Sequence, residues 1–174
     1  MVFLKDDKEQ MKTQYNTSRL LLDELSAGDS SFIISLLNSP GWLKFIGERN
    51  VKTNEDAINY IQKIRNNPNV TYWVVRLKDS SEQAGVITLI KRDYLDHSDI
   101  GFALLPEYSG KGIAAEAAKA VLDDLIKSGD HKTIHAITVK ENFSSIHLLE
   151  KLGLVFEKVI ANEGEELLLY SLYL

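Results

Sequence analysis

The order of hydrophobic periodicities predicts a mixed α+β (α/β) fold. It is a mainly antiparallel sheet of six to seven strands, with helices on both faces and one central parallel β-α-β crossover. Three observations carry this. Residues 71–105 hold three runs rich in Val, Ile, Tyr, Phe and Trp, joined by short polar links as in an antiparallel meander. Residues 98–139 read strand, helix, strand, which within one sheet requires a right-handed parallel crossover. Where that strand meets its helix, Leu104–Ala115 passes through a Gly-Lys-Gly turn directly into an Ala-rich segment.

The elements follow in order. Residues 1–17 are polar and aperiodic and read as a loose tail, in which Met11 offers a second start; residues 18–174 read as one domain. Arg19–Leu25 is a first strand. Asp29 offers an N-cap to a short helix whose Phe32, Ile33, Leu36 and Leu37 share one stripe, and Asn38-Ser39-Pro40-Gly41 is read as its stop. A second helix starts at Thr53 or Asn54 and runs to about Asn66, with Ala57, Ile58, Ile61 and Ile64 on one face. Strands at Thr71–Lys78, Gln83–Arg92 and Ser98–Leu105 come next. The Ala-rich helix follows, with Ile113, Ala117, Ala118, Val121, Leu122, Leu125 and Ile126 at helical spacing. Lys132–Val139 is a strand, and Asn142–Leu152 is a helix ended by Gly153. Leu154–Ala161 and Glu165–Tyr173 are two strands joined by an Asn-Glu-Gly turn. The predicted order is β-α-α-β-β-β-α-β-α-β-β.

Composition narrows the function. The chain has 174 residues, 44% of them hydrophobic and 26% charged, with a net charge of −5 and no Lys/Arg cluster beyond Lys91-Arg92. Nucleic acid is therefore not the expected partner, because backbone phosphates are bound by clustered basic side chains. No apolar run approaches the roughly 20 residues of a membrane span, and no long apolar leader is present, so no membrane partner and a cytoplasmic location are expected. There are no cysteines, which removes thiol nucleophiles and zinc-thiolate sites. The four histidines have no metal-ligand spacing, and no metal is expected. Exposed strand edges leave a homodimer open.

Two glycines in Ser109-Gly110-Lys111-Gly112-Ile113-Ala114-Ala115 let the backbone turn tightly with its N–H groups uncovered. The following helix adds unpaired amides and the positive end of its dipole, so the segment can hold a phosphate. A Walker loop is excluded because Gly112, not Ser or Thr, follows Lys111. A dinucleotide fingerprint is satisfied formally by Gly110, Gly112 and Ala115. It lacks the direct strand–glycine junction, and the only acid at the right distance is Asp130 in a turn. A plain helix start is the third reading. The second informative stretch is Asn142-Phe143-Ser144-Ser145 with Glu150-Lys151-Leu152-Gly153-Leu154. Locally it is a capped helix with Ile146, Leu149 and Leu152 on its buried side.

Together these two stretches resemble the GNAT superfamily of acyl-CoA-dependent N-acyltransferases, and most of all the branch of ribosomal-protein N-terminal acetyltransferases. Ser109-Gly110-Lys111-Gly112-Ile113-Ala114 matches the superfamily's Arg/Gln-x-x-Gly-x-Gly/Ala pyrophosphate motif, and Glu116-Ala117 the Glu-Ala that follows it in this branch. Asn142-x-x-Ser145 with Glu150-Lys151-x-Gly153 matches the later signature. Asp99–Leu104, Arg19-Leu20 and Tyr72–Val75 resemble the branch's strands, so the likeness covers about residue 18 to the C-terminus. Ser109 departs from the usual Arg or Gln, and Leu149 stands where many members carry a tyrosine general acid.

The resemblance implies acetyl transfer from acetyl-CoA, as cosubstrate, to a primary amine, either a protein N-terminus or a small amine. The amides of residues 110–115, with Ser109 at the head of the loop, would hold the pyrophosphate. Strands 98–105 and 132–139 would splay to admit the pantetheine arm, bonded by the backbone of Ala103 and Leu104. The Leu104 amide would polarise the thioester carbonyl. Asp99 is the candidate base, Ser145 a candidate donor to the leaving thiolate, and Asn142 a pantetheine contact as well as a cap. Trp42, Phe45 and Tyr60 are candidate acceptor-pocket residues. A non-catalytic acyl-CoA-binding module and a dinucleotide-binding protein are the alternatives.

Overall fold

The computed structural model describes residues 12–174. Its strands are β1 (Gln14–Asn16), β2 (Leu20–Glu24), β3 (Val70–Leu77), β4 (Gln83–Ile90), β5 (Asp99–Leu104), β6 (Thr133–Thr138), β7 (Val155–Asn162) and β8 (Glu165–Tyr173). They form one eight-stranded sheet in the order β1-β2-β3-β4-β5-β6-β8-β7, antiparallel except at β5–β6. The helices are α1 (Ser30–Leu37), α2 (Pro40–Phe45), α3 (Asn54–Asn66), α4 (Ile113–Ser128) and α5 (Phe143–Lys151). The mixed α+β class, the meander and the central parallel crossover are as predicted.

Strand alternation divides the core into two layers. Trp73 and Val75 of β3 and Ile87 of β4 pack with Ile113, Ala117, Val121 and Leu122 of α4 and Leu149 of α5. Val74 and Val86, pointing the other way, pack with Phe32, Ile33, Leu36, Ala57 and Ile61 of α1 and α3. Helices therefore cover both faces, as the period-3.6 and period-2 patterns require.

Two expectations change. The loose tail expected for residues 1–17 lies outside the described residues as far as residue 11, but Gln14–Asn16 is a strand. Tyr15 decides this: it is buried, its ring meets the Trp73 ring edge-on at 5.5 Å, and its hydroxyl donates to Asp124 Oδ2 at 3.1 Å. Trp73 Nε1 in turn donates to the Lys12 carbonyl at 2.9 Å. One buried aromatic in a polar stretch is too weak a period to read from sequence. Second, Pro40-Gly41 starts a helix rather than only stopping one. Pro40 occupies the first turn of α2, where its missing N–H removes no helical bond, and Trp42 is carried into the α1–α3 core.

A buried ion pair ties this second layer to the sheet. Asp29, 2% exposed, accepts from Arg76 Nη2 at 2.6 Å, Gln83 Nε2 at 2.6 Å and the Ser26 amide at 2.9 Å. Arg76→Ala takes the cation from a buried carboxylate that keeps only Gln83 and Ser26 as donors, and is expected to lower stability by about 2–3 kcal/mol. Urea unfolding measures this, and a loss below about 1 kcal/mol would show that the pair does not anchor α1.

Candidate functional site

The Gly-Lys-Gly turn is open on its outer side. Ser109, Gly110, Lys111 and Gly112 are all exposed, and Gly110 and Gly112 sit at φ 73° and 74°, in the left-handed region that side chains disfavour. Gly112 is the N-cap of α4, so the first amides of Ile113, Ala114 and Ala115 lack helical partners and follow the loop's own N–H groups. No side-chain cap occupies them. The turn is braced from behind. Glu116, in the first turn of α4, accepts from Thr17 Oγ1, the Arg19 amide at 3.0 Å and Arg19 Nε at 2.6 Å. Partial burial raises its carboxyl, but these hydrogen bonds outweigh that and hold it below the ordinary value. Arg19 Nη1 also donates to the Lys111 carbonyl at 3.1 Å, which fixes that carbonyl on the side of β2. Arg19 was legible only as a strand opening; that it would lie on the loop depends on a contact 92 residues apart.

The parallel pair β5–β6 opens immediately. Its ladder consists of one register pair, Asp99↔His135, with the His135 amide donating to the Ser98 carbonyl at 2.9 Å. Beyond it the strands part, leaving the rest of β5 with one free edge. Backbone alternation says which residues use that edge. Leu105 N donates to Ala84 O on β4, whereas Ser98 O faces β6. Residues 99, 101, 103 and 105 therefore bond toward β4, and 98, 100, 102 and 104 toward the cleft. Leu104 keeps its expected orientation. Ala103 does not, since its carbonyl lies against Gly85 of β4, and Phe102 is the second residue whose backbone faces the cleft. The alternation rule applied to the strand pairing would have found Phe102; sequence alone does not give the pairing.

On α5, Asn142 Oδ1 accepts from the Ser145 amide at 3.2 Å, so the cap reading holds and the Asn142 side-chain NH₂ is left over. Ser145 is half-buried on the first turn. Leu149 is fully buried against α4 and offers no proton.

At the closed end of the cleft lies Asp99, 2% exposed, with Oδ1 accepting from Arg92 Nε at 2.7 Å. Burial lifts its carboxyl above the ordinary value against the pull of Arg92, which makes it a stronger base than a surface aspartate. Nearby, the Tyr72 hydroxyl is 3.5 Å from that of Tyr60. Trp42 is buried, Phe45 and Tyr60 are half-buried, and Tyr60 packs against the α1–α3 core together with Tyr72. Tyr72 and Arg92 were not among the residues expected here. Tyr72 is one of several aromatics in a strand, and Arg92 read only as a surface charge.

On the other side of β5, His135 Nδ1 is 2.9 Å from Ser171 Oγ, and Ser171 donates to Glu157, which also accepts from Tyr173 at 3.1 Å. Because Ser171 gives its proton to a carboxylate, its oxygen accepts from His135 Nδ1–H, leaving Nε2 with the lone pair. His135, Glu157 and Tyr173 line a cavity of about 150 Å³ that also borders His97 and Asp96.

Comparison with known proteins gives a consistent result. A family model described as an acetyltransferase (GNAT) domain matches residues 19–155. The chain is 30% identical over 154 residues to the uncharacterized N-acetyltransferase YnaD of Bacillus subtilis, covering 86% of this chain and 89% of that one. The ribosomal-protein-S5-alanine acetyltransferase of Vibrio fischeri superposes with a TM-score of 0.76 at 20% identity, covering 93% and 97% of the two chains. The spermidine N-acetyltransferase of Vibrio cholerae, solved with CoA and spermine, superposes with a TM-score of 0.75 at 22% identity, covering 90% and 96%.

Proposed function

Because the chain belongs to the GNAT acetyltransferase family, we propose that it transfers the acetyl group of acetyl-CoA to a primary amine by direct attack on the thioester, in the cytoplasm. The observation that carries this reading is the conjunction of an uncovered anion loop at the end of β5 with a free β5 edge beneath it. The amides of residues 110–115 take the pyrophosphate at the N-terminus of α4. Ser109 can add only a hydroxyl and Arg19 is engaged behind the turn by Glu116 and the Lys111 carbonyl, so the backbone amides do most of the holding. The pantetheine amides pair with the cleft-facing backbone of Phe102 and Leu104 as an added strand would, and Asn142 contributes its free NH₂. The Leu104 amide polarises the thioester carbonyl.

The reaction then needs one base. Asp99, at the opposite end of β5 from Leu104, takes a proton from the acceptor ammonium through a chain of waters along the cleft, and the freed lone pair forms the C–N bond at the thioester carbon. The tetrahedral intermediate collapses with cleavage of the C–S bond. Its second nitrogen proton passes to the departing thiolate, with Ser145 as a hydrogen-bond donor there, and Asp99 returns its proton to solvent. Asp99→Asn is expected to lower kcat about 100-fold or more while leaving acetyl-CoA affinity unchanged. A thiol-release assay with isothermal titration of acetyl-CoA checks both, and an undiminished rate removes Asp99 from the mechanism.

One observation favours the non-catalytic alternative, an acyl-CoA-binding module: the position of the usual tyrosine acid is a leucine sealed in the core. Acetyl-CoA binding without thiol release on any amine is the outcome that would establish it.

A further inference from the structure

Among the described residues the sheet ends in two edges that are built differently. One is β1, three residues long, whose exposed residues Gln14 and Asn16 are polar. The other is β7, eight residues long, in which Val155, Phe156 and Val159 are each more than half exposed. Long edges are normally blunted with charges or proline, because their free N–H and C=O groups invite another strand. In β7 only Glu157 and Lys158, side by side at the middle, carry charge.

Register decides which groups of β7 face outward. Glu163 and Gly164, at φ 49° and 83°, form the two-residue turn to β8, so the closing pair Asn162 and Glu165 exchange their backbone hydrogen bonds. Counting back from that pair, Ile160 and Lys158 also bond β8, whereas Ala161 and Val159 turn their N–H and C=O away from it. The irregularity between Phe156 and Lys158 makes Glu157 the extra residue of a bulge, which puts Phe156 in phase with Val159. Their side chains share a face as well. Phe156 lies opposite Tyr170 and Val159 opposite Leu168, both of the α4–α5 layer, and the Phe156 and Tyr170 rings meet edge-on at 5.8 Å. Val155, Lys158 and Ile160 lie on the other face, opposite Ser171, Leu169 and Leu167. The strand thus carries apolar side chains on both faces beside an open backbone edge.

We propose that β7 is covered by β7 of a second copy of this chain, in an isologous antiparallel pair that continues the sheet from one protomer into the next. The strand is complementary to itself. With the two-fold axis between Glu157 and Lys158, Phe156 falls opposite Val159, Glu157 opposite Lys158 and Val155 opposite Ile160, and each pairing occurs twice. The outward-facing backbones of Phe156 and Val159 then meet as hydrogen-bonded pairs, and both charges find their opposites. An axis through Val159 would instead set Lys158 against Ile160 and Glu157 against Ala161. A foreign strand has no reason to carry this match, whereas a second copy supplies it by symmetry. The proposal concerns assembly and goes beyond the acetyltransferase reading.

Light scattering after size exclusion, from about 1 to about 100 μM of the full chain, should read twice the 19.6 kDa of the protomer at the upper end. Val159→Lys puts an uncompensated cation opposite Phe156, and Lys158→Glu sets like charges face to face. Each should weaken dimerisation at least about tenfold. Both positions are exposed, so near-UV circular dichroism of the protomer should not change. Because the chain has no cysteine, the register can be read separately. In the double variant Phe156→Cys, Val159→Cys the two thiols of one chain lie about 10 Å apart at roughly 3.3 Å per residue, too far to bond each other. Mild oxidation should therefore give a crosslinked dimer on a non-reducing gel. A monomer at every concentration would overturn the proposal and leave the edge to a partner of another kind. A dimer that survives both single substitutions, or the absence of the crosslink, would overturn it as well.

Discussion

Gly112→Val is expected to abolish measurable acetyl-CoA binding at concentrations where the parent protein saturates, a loss of about 100-fold or more. Gly112 sits at φ 74°, where a β-branched residue is strained, and it is the residue from which α4 starts. A Cβ there would lie 3.4 Å from Arg19 Nη2, so the side chain would also crowd the guanidinium that braces the turn. The valine must either distort the loop or cover the amides proposed to hold the phosphates. Both outcomes remove the backbone donors while leaving the core of α4 in place. Titration calorimetry with acetyl-CoA and with CoA measures the effect, and near-UV circular dichroism should show the core unchanged. Binding within tenfold of the parent would mean that the pyrophosphate is held elsewhere.

Gly85→Ala should be the most damaging single-methyl change in the sheet. A Cβ at position 85 would stand 2.2 Å from the Ala103 carbonyl oxygen and 2.9 Å from the Leu104 Cα, with Leu104 Cδ2 at 2.5 Å. Two of those atoms are backbone, so relief requires β5 to move away from β4. We expect a stability loss of about 3 kcal/mol, at the upper end of overpacking costs. Affinity for acetyl-CoA should fall too, because the strand that moves carries the cleft-facing edge of Phe102 and Leu104. Urea unfolding together with acetyl-CoA titration reads both effects, and a variant as stable as the parent would contradict the close β4–β5 approach. Gly85 gave no signal in the sequence: inside an apolar strand run, a glycine that admits a neighbouring backbone looks like any other.

Much of the site was legible because it is local. The loop Ser109–Ala115 draws its chemistry from glycine conformations and a helix start within seven residues, and Asn142 caps the helix that contains Ser145, as the spacing required. Asp99 was legible by its place at the head of a strand. What could not be read depended on pairing. The direction of the Ala103 carbonyl follows from the register of β5 on β4. The bracing of the loop by Arg19 joins residues 92 positions apart, and the pairing of Arg92 with Asp99 and of Tyr60 with Tyr72 depends on how separate elements meet.

By itself, the sequence determined the α+β class, the order of most elements, the Gly-Lys-Gly turn at the head of α4 and the acyl-CoA resemblance, since each rests on periodicity or on conformations set within a few residues. The tertiary structure decided that Tyr15 makes an eighth strand, that Phe102 rather than Ala103 shares the cleft edge with Leu104, and that Arg92 pairs with the buried Asp99. Those outcomes turn on strand register and on side chains brought together from separate elements. Such contacts form only when the whole sheet closes over its two layers of helices, and no local propensity encodes them.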